Sequence, residues 1–234
     1  MNRLRNEESV LLEGAKAAER SGNYAAALDV WQHLAFMTSR PDYLCKVGRV
    51  AQKLGRWTDA EKAFLDALRV DKTFPLAMVF LGSLFLTRTD GDASTNARTA
   101  KAWLEQGVAA APSQISLSFL GDAHNRLGEK EAAKAAFRKA IELDATYAEA
   151  YFNLGLLLAN DGQNEEAESL LRTATQLDPN SHEAHGRLGV LLQALGRYPE
   201  AEDELRRAIE IDLRDAIANS YLNRLVDGAG TNKP

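Results

Sequence analysis

Few side chains in this 234-residue chain stand at spacings that do chemistry. His182-Glu183-Ala184-His185 sets two histidines around a glutamate. A zinc-protease helix needs its histidines four apart on one face, with the glutamate between them as general base. Here they are three apart and no third ligand stands nearby, so they read as surface histidines and no metal is expected. Asp90-Gly91-Asp92 offers two carboxylates, but a calcium loop needs more oxygen ligands at fixed spacing. That stretch reads as a solvated loop. His124 reads as a hydrogen-bonded structural histidine, not a catalytic one. Cys45 has no histidine base near it in the pattern and reads as an inert small residue. The sequence holds no GxGxxG, GxSxG, CxxC or P-loop, so no catalytic residue and no cofactor is expected.

Composition narrows the class further. A net charge of −5 argues against nucleic acid as the main partner. One cysteine cannot build an intrachain disulfide framework. The segment MNRLRNEESV lacks the apolar core of a signal peptide. No window approaches the roughly 18 apolar residues of a membrane span. The expectation is a cytoplasmic chain, or part of one, without a membrane segment.

The elements that carry these residues repeat. Gly48, Gly82, Gly121, Gly155 and Gly189 stand 34, 39, 34 and 34 residues apart. A period between about 20 and 50 residues signals a solenoid of stacked units. Residues 148–181 show the unit best. Tyr151, Leu154 and Leu158 recur at helical spacing, and Asp161-Gly162 stops that run. Ala167, Leu170, Leu171, Ala174 and Leu177 form a second run, which Asp178-Pro179 ends. Small residues let the two backbones approach, and large ones fill the space around them. So short a helix pair cannot bury its own apolar face, and its neighbours must cover it.

This pattern resembles the tetratricopeptide repeat. Its small position 8 reads Ala15, Gly48, Gly82, Gly121, Gly155 and Gly189. Position 20 reads Ala27, Ala60, Ala100, Ala133, Ala167 and Ala201, and the large position 24 reads Trp31, Phe64, Leu104, Phe137, Leu171 and Leu205. The resemblance implies an all-α, right-handed superhelical solenoid of six helix-turn-helix repeats: 8–40, 41–74, 75–113, 114–147, 148–181 and 182–215. A capping helix is expected over 216–226, with residues 1–227 forming one domain and 228–234 a flexible tail. The first repeat departs from the pattern, with Gly14 where leucine belongs and Leu34 where alanine belongs. The third carries about six extra residues, expected as a mobile loop over Thr87–Asn96.

In this family the first helix of each repeat lines a concave groove. Carried over position by position, the groove would hold Lys46, Arg49, Lys53, Val79, Phe80, Ile115, Phe119, Arg126, Phe152, Asn153, Leu156 and Arg187, with Cys45 also facing it. Lys46, Arg49 and Lys53 lie at i, i+3 and i+7, a basic stripe on one helix. Asn153 and Arg187 match two places of the family's chaperone-tail clamp, but Ser118, Asp122 and Glu183 occupy the others, and two of these would repel a carboxylate. The resemblance implies a protein-interaction scaffold, not an enzyme, whose groove takes an apolar protein or peptide segment carrying acidic groups. Two other readings stay open: a regulatory or substrate-recruiting region of a larger transferase- or hydroxylase-type enzyme, and a self-assembly module.

Overall fold

A computed structural model describes the backbone of residues 2–230 and the side chains of residues 7–225. Thirteen α-helices and no strand occur among the described residues. They are α1 (Asn2–Arg20), α2 (Tyr24–Thr38), α3 (Pro41–Lys53), α4 (Trp57–Val70), α5 (Pro75–Thr87), α6 (Ala93–Ala110) and α7 (Gln114–Arg126). There follow α8 (Lys130–Leu143), α9 (Ala148–Asn160), α10 (Asn164–Leu177), α11 (His182–Ala194), α12 (Tyr198–Ile211) and α13 (Ala216–Gly230). The chain is all-α, and its helices pair as α1–α2, α3–α4, α5–α6, α9–α10 and α11–α12. The helices fall into two compact units, 1–129 and 130–234. The boundary lies between α7 and α8. The first unit carries 16 Lys and Arg against 15 Asp and Glu, net +1, and the second 12 against 18, net −6.

Turn chemistry sets where most helices stop. Gly22, Gly55, Gly128, Gly162 and Gly196 close the tight turn inside a repeat at φ between 71° and 76°. That left-handed conformation costs glycine nothing and strains other residues. Between the first two repeats Ser39 takes the same role at φ 52°, its N–H donating to the Ala35 carbonyl over 2.8 Å.

Four repeats are each locked by a glycine and a large side chain of the paired helix. An added Cβ at Gly48 would lie 2.3 Å from the Phe64 ring, and one at Gly82 2.3 Å from Leu104 Cγ. In the second unit the matching contacts are 3.0 Å from Gly155 to Leu171 and 2.7 Å from Gly189 to Leu205. Trp31, Phe64, Leu104, Phe137, Leu171 and Leu205 are all buried. In the first unit α3 packs on α5 and α5 on α7, whereas α2, α4 and α6 do not pack on one another. The odd-numbered helices therefore form a close inner row and the even-numbered ones a splayed outer row.

The structure departs from expectation at several places. The extra residues of the third repeat are mostly helical: α6 begins at Ala93 and has 18 residues, so only 88–92 link it to α5. That link is tied down. Arg88 makes two 2.7 Å bonds to Asp90 and one of 3.1 Å to Glu61, Asn96 Nδ2 donates to the Asp90 carbonyl, and Asp92 caps α6. Second, α13 runs through Gly230, so 228–230 are helix and not tail; residues 231–234 lie outside those described. Third, His185 is buried, with Nδ1 2.6 Å from Glu204 Oε2. That partner stands 19 residues away, outside any spacing legible on one helix. Fourth, Cys45 is 1% exposed and does not face the groove.

Candidate functional site

The inner row of the first unit gathers aromatic rings and cations around α3. Helical periodicity puts Lys46, Arg49 and Lys53 on the side of α3 away from buried Val47, Gly48 and Ala51. Each cation then meets a ring from a neighbouring helix. Lys46 Nζ lies 5.8 Å from the Trp31 centroid, Arg49 Cζ 5.5 Å from Phe80 and Lys53 Nζ 4.7 Å from Tyr24. Ring faces attract cations at such distances by roughly 0.5–1 kcal/mol where exposed. Among the described residues none of the three has an ion pair. Other basic groups nearby do: Lys16 pairs with Glu13 and Arg40 with Asp42 and Glu8. The stripe is thus an un-neutralised charge held in place by aromatic platforms.

Those platforms are fixed in turn. Trp31 is buried, donates its indole N–H to Glu19 at 2.7 Å and lies 5.6 Å from the Tyr43 ring. Tyr43 donates its hydroxyl to Glu8 at 2.7 Å; burial, then that bond, pushes its phenol above the usual range. Leu12, Lys16, Trp31, Tyr43 and Lys46 line a cleft of about 470 Å³ here, with Glu8 and Asp42 at its edge. Phe80 sits 5.5 Å from Phe64 and is only partly buried.

Farther along the same unit, Ile115 is 45% exposed and Phe119 half-buried on α7. Arg126 bonds Asp122 and donates to the Leu86 carbonyl at 2.6 Å, so its guanidinium, though exposed, already has partners within the chain. Val79 is 7% exposed and packs in the cluster with Leu104 and Leu120, so it is core and not a groove anchor. Val79 and Cys45 share repeat position 5, which is buried in both repeats.

In the second unit Phe152, Asn153 and Leu156 are half-buried on α9, and Arg187 is half-buried on α11. Glu149, Phe152, Asn153, Asp178, Ser181 and Glu183 line a cleft of about 340 Å³. Its rim carries three carboxylates, the opposite sign to the α3 stripe. Phe152 also stands at position 5, one place before the position of Phe80 and Phe119 in their repeats.

Burial, and then the nearby charge of Asp42, push the Cys45 thiol up to about 12, so its nucleophilic thiolate is suppressed. No cluster of three or more metal-ligating side chains occurs among the described residues. No helix among them is long and apolar enough to cross a membrane.

Comparison with known proteins gives the same architecture. Family profiles described as tetratricopeptide repeat match residues 46–114 and 158–225, and one described as TPR repeat matches 121–162. No curated protein sequence matches at a significant level. Among solved structures, the Cut9-Hcn1 hetero-tetramer of APC/C aligns at TM-score 0.82 and 17% identity, over 93% of this chain and 42% of that one. The type IV pilus biogenesis factor PilW aligns at 0.77 and 14% identity, over 92% and 98%. YrrB, a TPR protein with an unusual peptide-binding site, aligns at 0.57 and 21% identity, over 82% and 96%.

Proposed function

Because the chain is a tetratricopeptide-repeat protein, we propose that it is a scaffold whose first unit binds an apolar protein segment carrying acidic groups. The observation that carries this reading is the α3 stripe: three cations without ion pairs, each set over an aromatic ring, beside an aromatic-lined cleft. Lys46, Arg49 and Lys53 would take the acidic groups. Phe80, Ile115 and Phe119 would take apolar side chains, because aromatic anchors in a concave site carry much of the binding energy. Arg126 is committed to Asp122 and Leu86 and would contribute little. The cations are spaced by three and four residues, about 4.5 and 6 Å along the helix axis. An extended segment advances about 6.6 Å every second residue, so acids on alternate residues suit the stripe. Peptide binding by YrrB, a neighbour in fold, supports a peptide as the ligand class.

Phe152, Asn153, Leu156 and Arg187 would serve a separate contact. With Glu149, Asp178 and Glu183 around it, the second unit's cleft disfavours an acidic segment and suits a basic or neutral one.

A fluorescein-labelled peptide with glutamates on alternate residues and phenylalanine between them tests the first unit by anisotropy titration. Phe119→Ala should weaken it by roughly 1–3 kcal/mol. Reversing Lys46 and Arg49 to glutamate should cut the association rate and flatten its salt dependence. Lys139→Ala, on the outer side of α8, is the control. Equal affinity in all variants would remove the stripe and Phe119 from the mechanism.

A further inference from the structure

Comparing the repeats position by position isolates one outlier on the outer row of the first unit. Five residues after the large residue that locks each repeat stand Phe36, Arg69, Ala109, Glu142, Gln176 and Glu210. The others are polar or small, as suits a helix face turned to solvent. Phe36 is a phenylalanine left 87% exposed. Large apolar side chains exposed beside an open apolar surface mark interaction sites.

Phe36 stands at the rim of such a surface. A cleft of about 330 Å³ separates α2 from α4, with Leu44, Val47 and Ala51 of α3 as its floor. The α2 wall is mainly apolar, from Leu28, Ala35 and Phe36, with Gln32 its one polar side chain. The α4 wall is charged but largely self-neutralised: Arg56 pairs with Asp59 and Asp66 with Arg69. Lys62, exposed between them, has no ion pair among the described residues. It is also the single cation at its repeat position, where the other repeats carry Asp29, Ala102, Ala135, Ser169 and Asp203. The unmatched charge of the cleft is therefore positive.

We propose that this outer cleft is a second docking site, taking an amphipathic helix of a partner protein that sets an acidic residue on Lys62. The two walls are helices of 15 and 14 residues, about 21 Å long at 1.5 Å per residue. A partner helix of about four turns would lie along that trough with its apolar stripe on Phe36, Leu44 and Val47. The site is separate from the inner stripe, since α3 turns Leu44 and Val47 outward and Lys46, Arg49 and Lys53 inward. One helix would then hold two partners on opposite faces.

The test uses a fluorescein-labelled helical peptide with leucines at i, i+3, i+4 and i+7 and glutamates flanking them, followed by anisotropy. It is run on the Lys46→Glu/Arg49→Glu variant, so that the inner stripe makes no contribution. Saturable binding is expected, weakened about tenfold or more by Phe36→Ser and severalfold by Lys62→Glu. Phe36 is exposed, so its substitution should leave the melting temperature unchanged, and that is checked alongside. No binding, or equal binding by the Phe36→Ser variant, overturns the proposal. Sedimentation of the unlabelled protein covers the alternative occupant: a dimer that Phe36→Ser dissolves would assign the cleft to a second copy of the chain, and would also overturn it. Neither result bears on the inner stripe, which its own variants test.

Discussion

At the scale of single residues, the locks and the histidines make opposite kinds of prediction. Gly82 faces Leu104 so closely that an added methyl group must displace a buried side chain. Gly82→Ala should cost about 1–3 kcal/mol of stability by urea titration. Combined with Leu104→Ala, it should cost less than the two single changes together, because the pair shares one contact. The histidine effect is one of pH. His182 Nδ1 lies 3.0 Å from Asp215 Oδ2, while Asp215 Oδ1 accepts the N–H groups of Ile217 and Ala218 at the start of α13. The bond to Asp215 raises the His182 pKa above 6.5, helped by Glu183 and Asp212 against desolvation. Burial pushes the Asp215 carboxyl up, but His182 and the two backbone donors outweigh it and hold the group below its usual range. A raised histidine stabilises fully below its unfolded pKa, and that stability is lost as pH climbs through the folded value. A depressed aspartate stabilises above its unfolded pKa and loses that as pH falls. The anchor of α13 should be firmest between about pH 4 and 6.5. Amide exchange of Ala218–Leu222, corrected for intrinsic rate, should be slower at pH 6 than at pH 8. His182→Gln should erase the difference.

At the scale of helices and their turns, two junctions depend on one side chain each. Ser39 holds a left-handed conformation without glycine's freedom, so Ser39→Gly should raise stability by about 0.5–1 kcal/mol, read from the melting curve. Arg88 is only 13% exposed and ties Asp90 and Glu61 together over the Phe85 ring. The 88–92 link should therefore resist limited proteolysis in the wild type, and Arg88→Ala should make it the first interior cut. The sequence made the helix pairs legible because small and large residues recur at fixed separations, and each such residue acts on a partner inside its own repeat. It misplaced what depends on neighbours farther off. TRTDGDASTN reads as loop by composition, yet Asp92 caps a helix that takes in the second half of it. Position 5 reads as groove-facing by the resemblance, but Cys45 and Val79 are buried, Val79 in the cluster with Leu104 and Leu120. The basic stripe was legible from spacing alone; the rings beneath it were not, since Tyr24 and Phe80 lie about thirty residues from the cations they hold.

At the scale of the whole chain, charge is divided unevenly, +1 in the first unit and −6 in the second, and the candidate clefts follow that division. The glycine locks carry a separate consequence. Gly155 and Leu171 close within residues 148–181, and Gly189 and Leu205 within 182–215. A gene for this chain can therefore lose or gain a stretch encoding one full period without parting either member of any lock. Deleting 148–181 should leave a folded protein with proportionately less helix by circular dichroism, less stable because one neighbour interface is gone. Deleting 148–164 removes Gly155 and keeps Leu171, and should not fold as a defined array. Heredity by slippage, in whole periods and never in halves, is what a lock closed inside its own repeat permits.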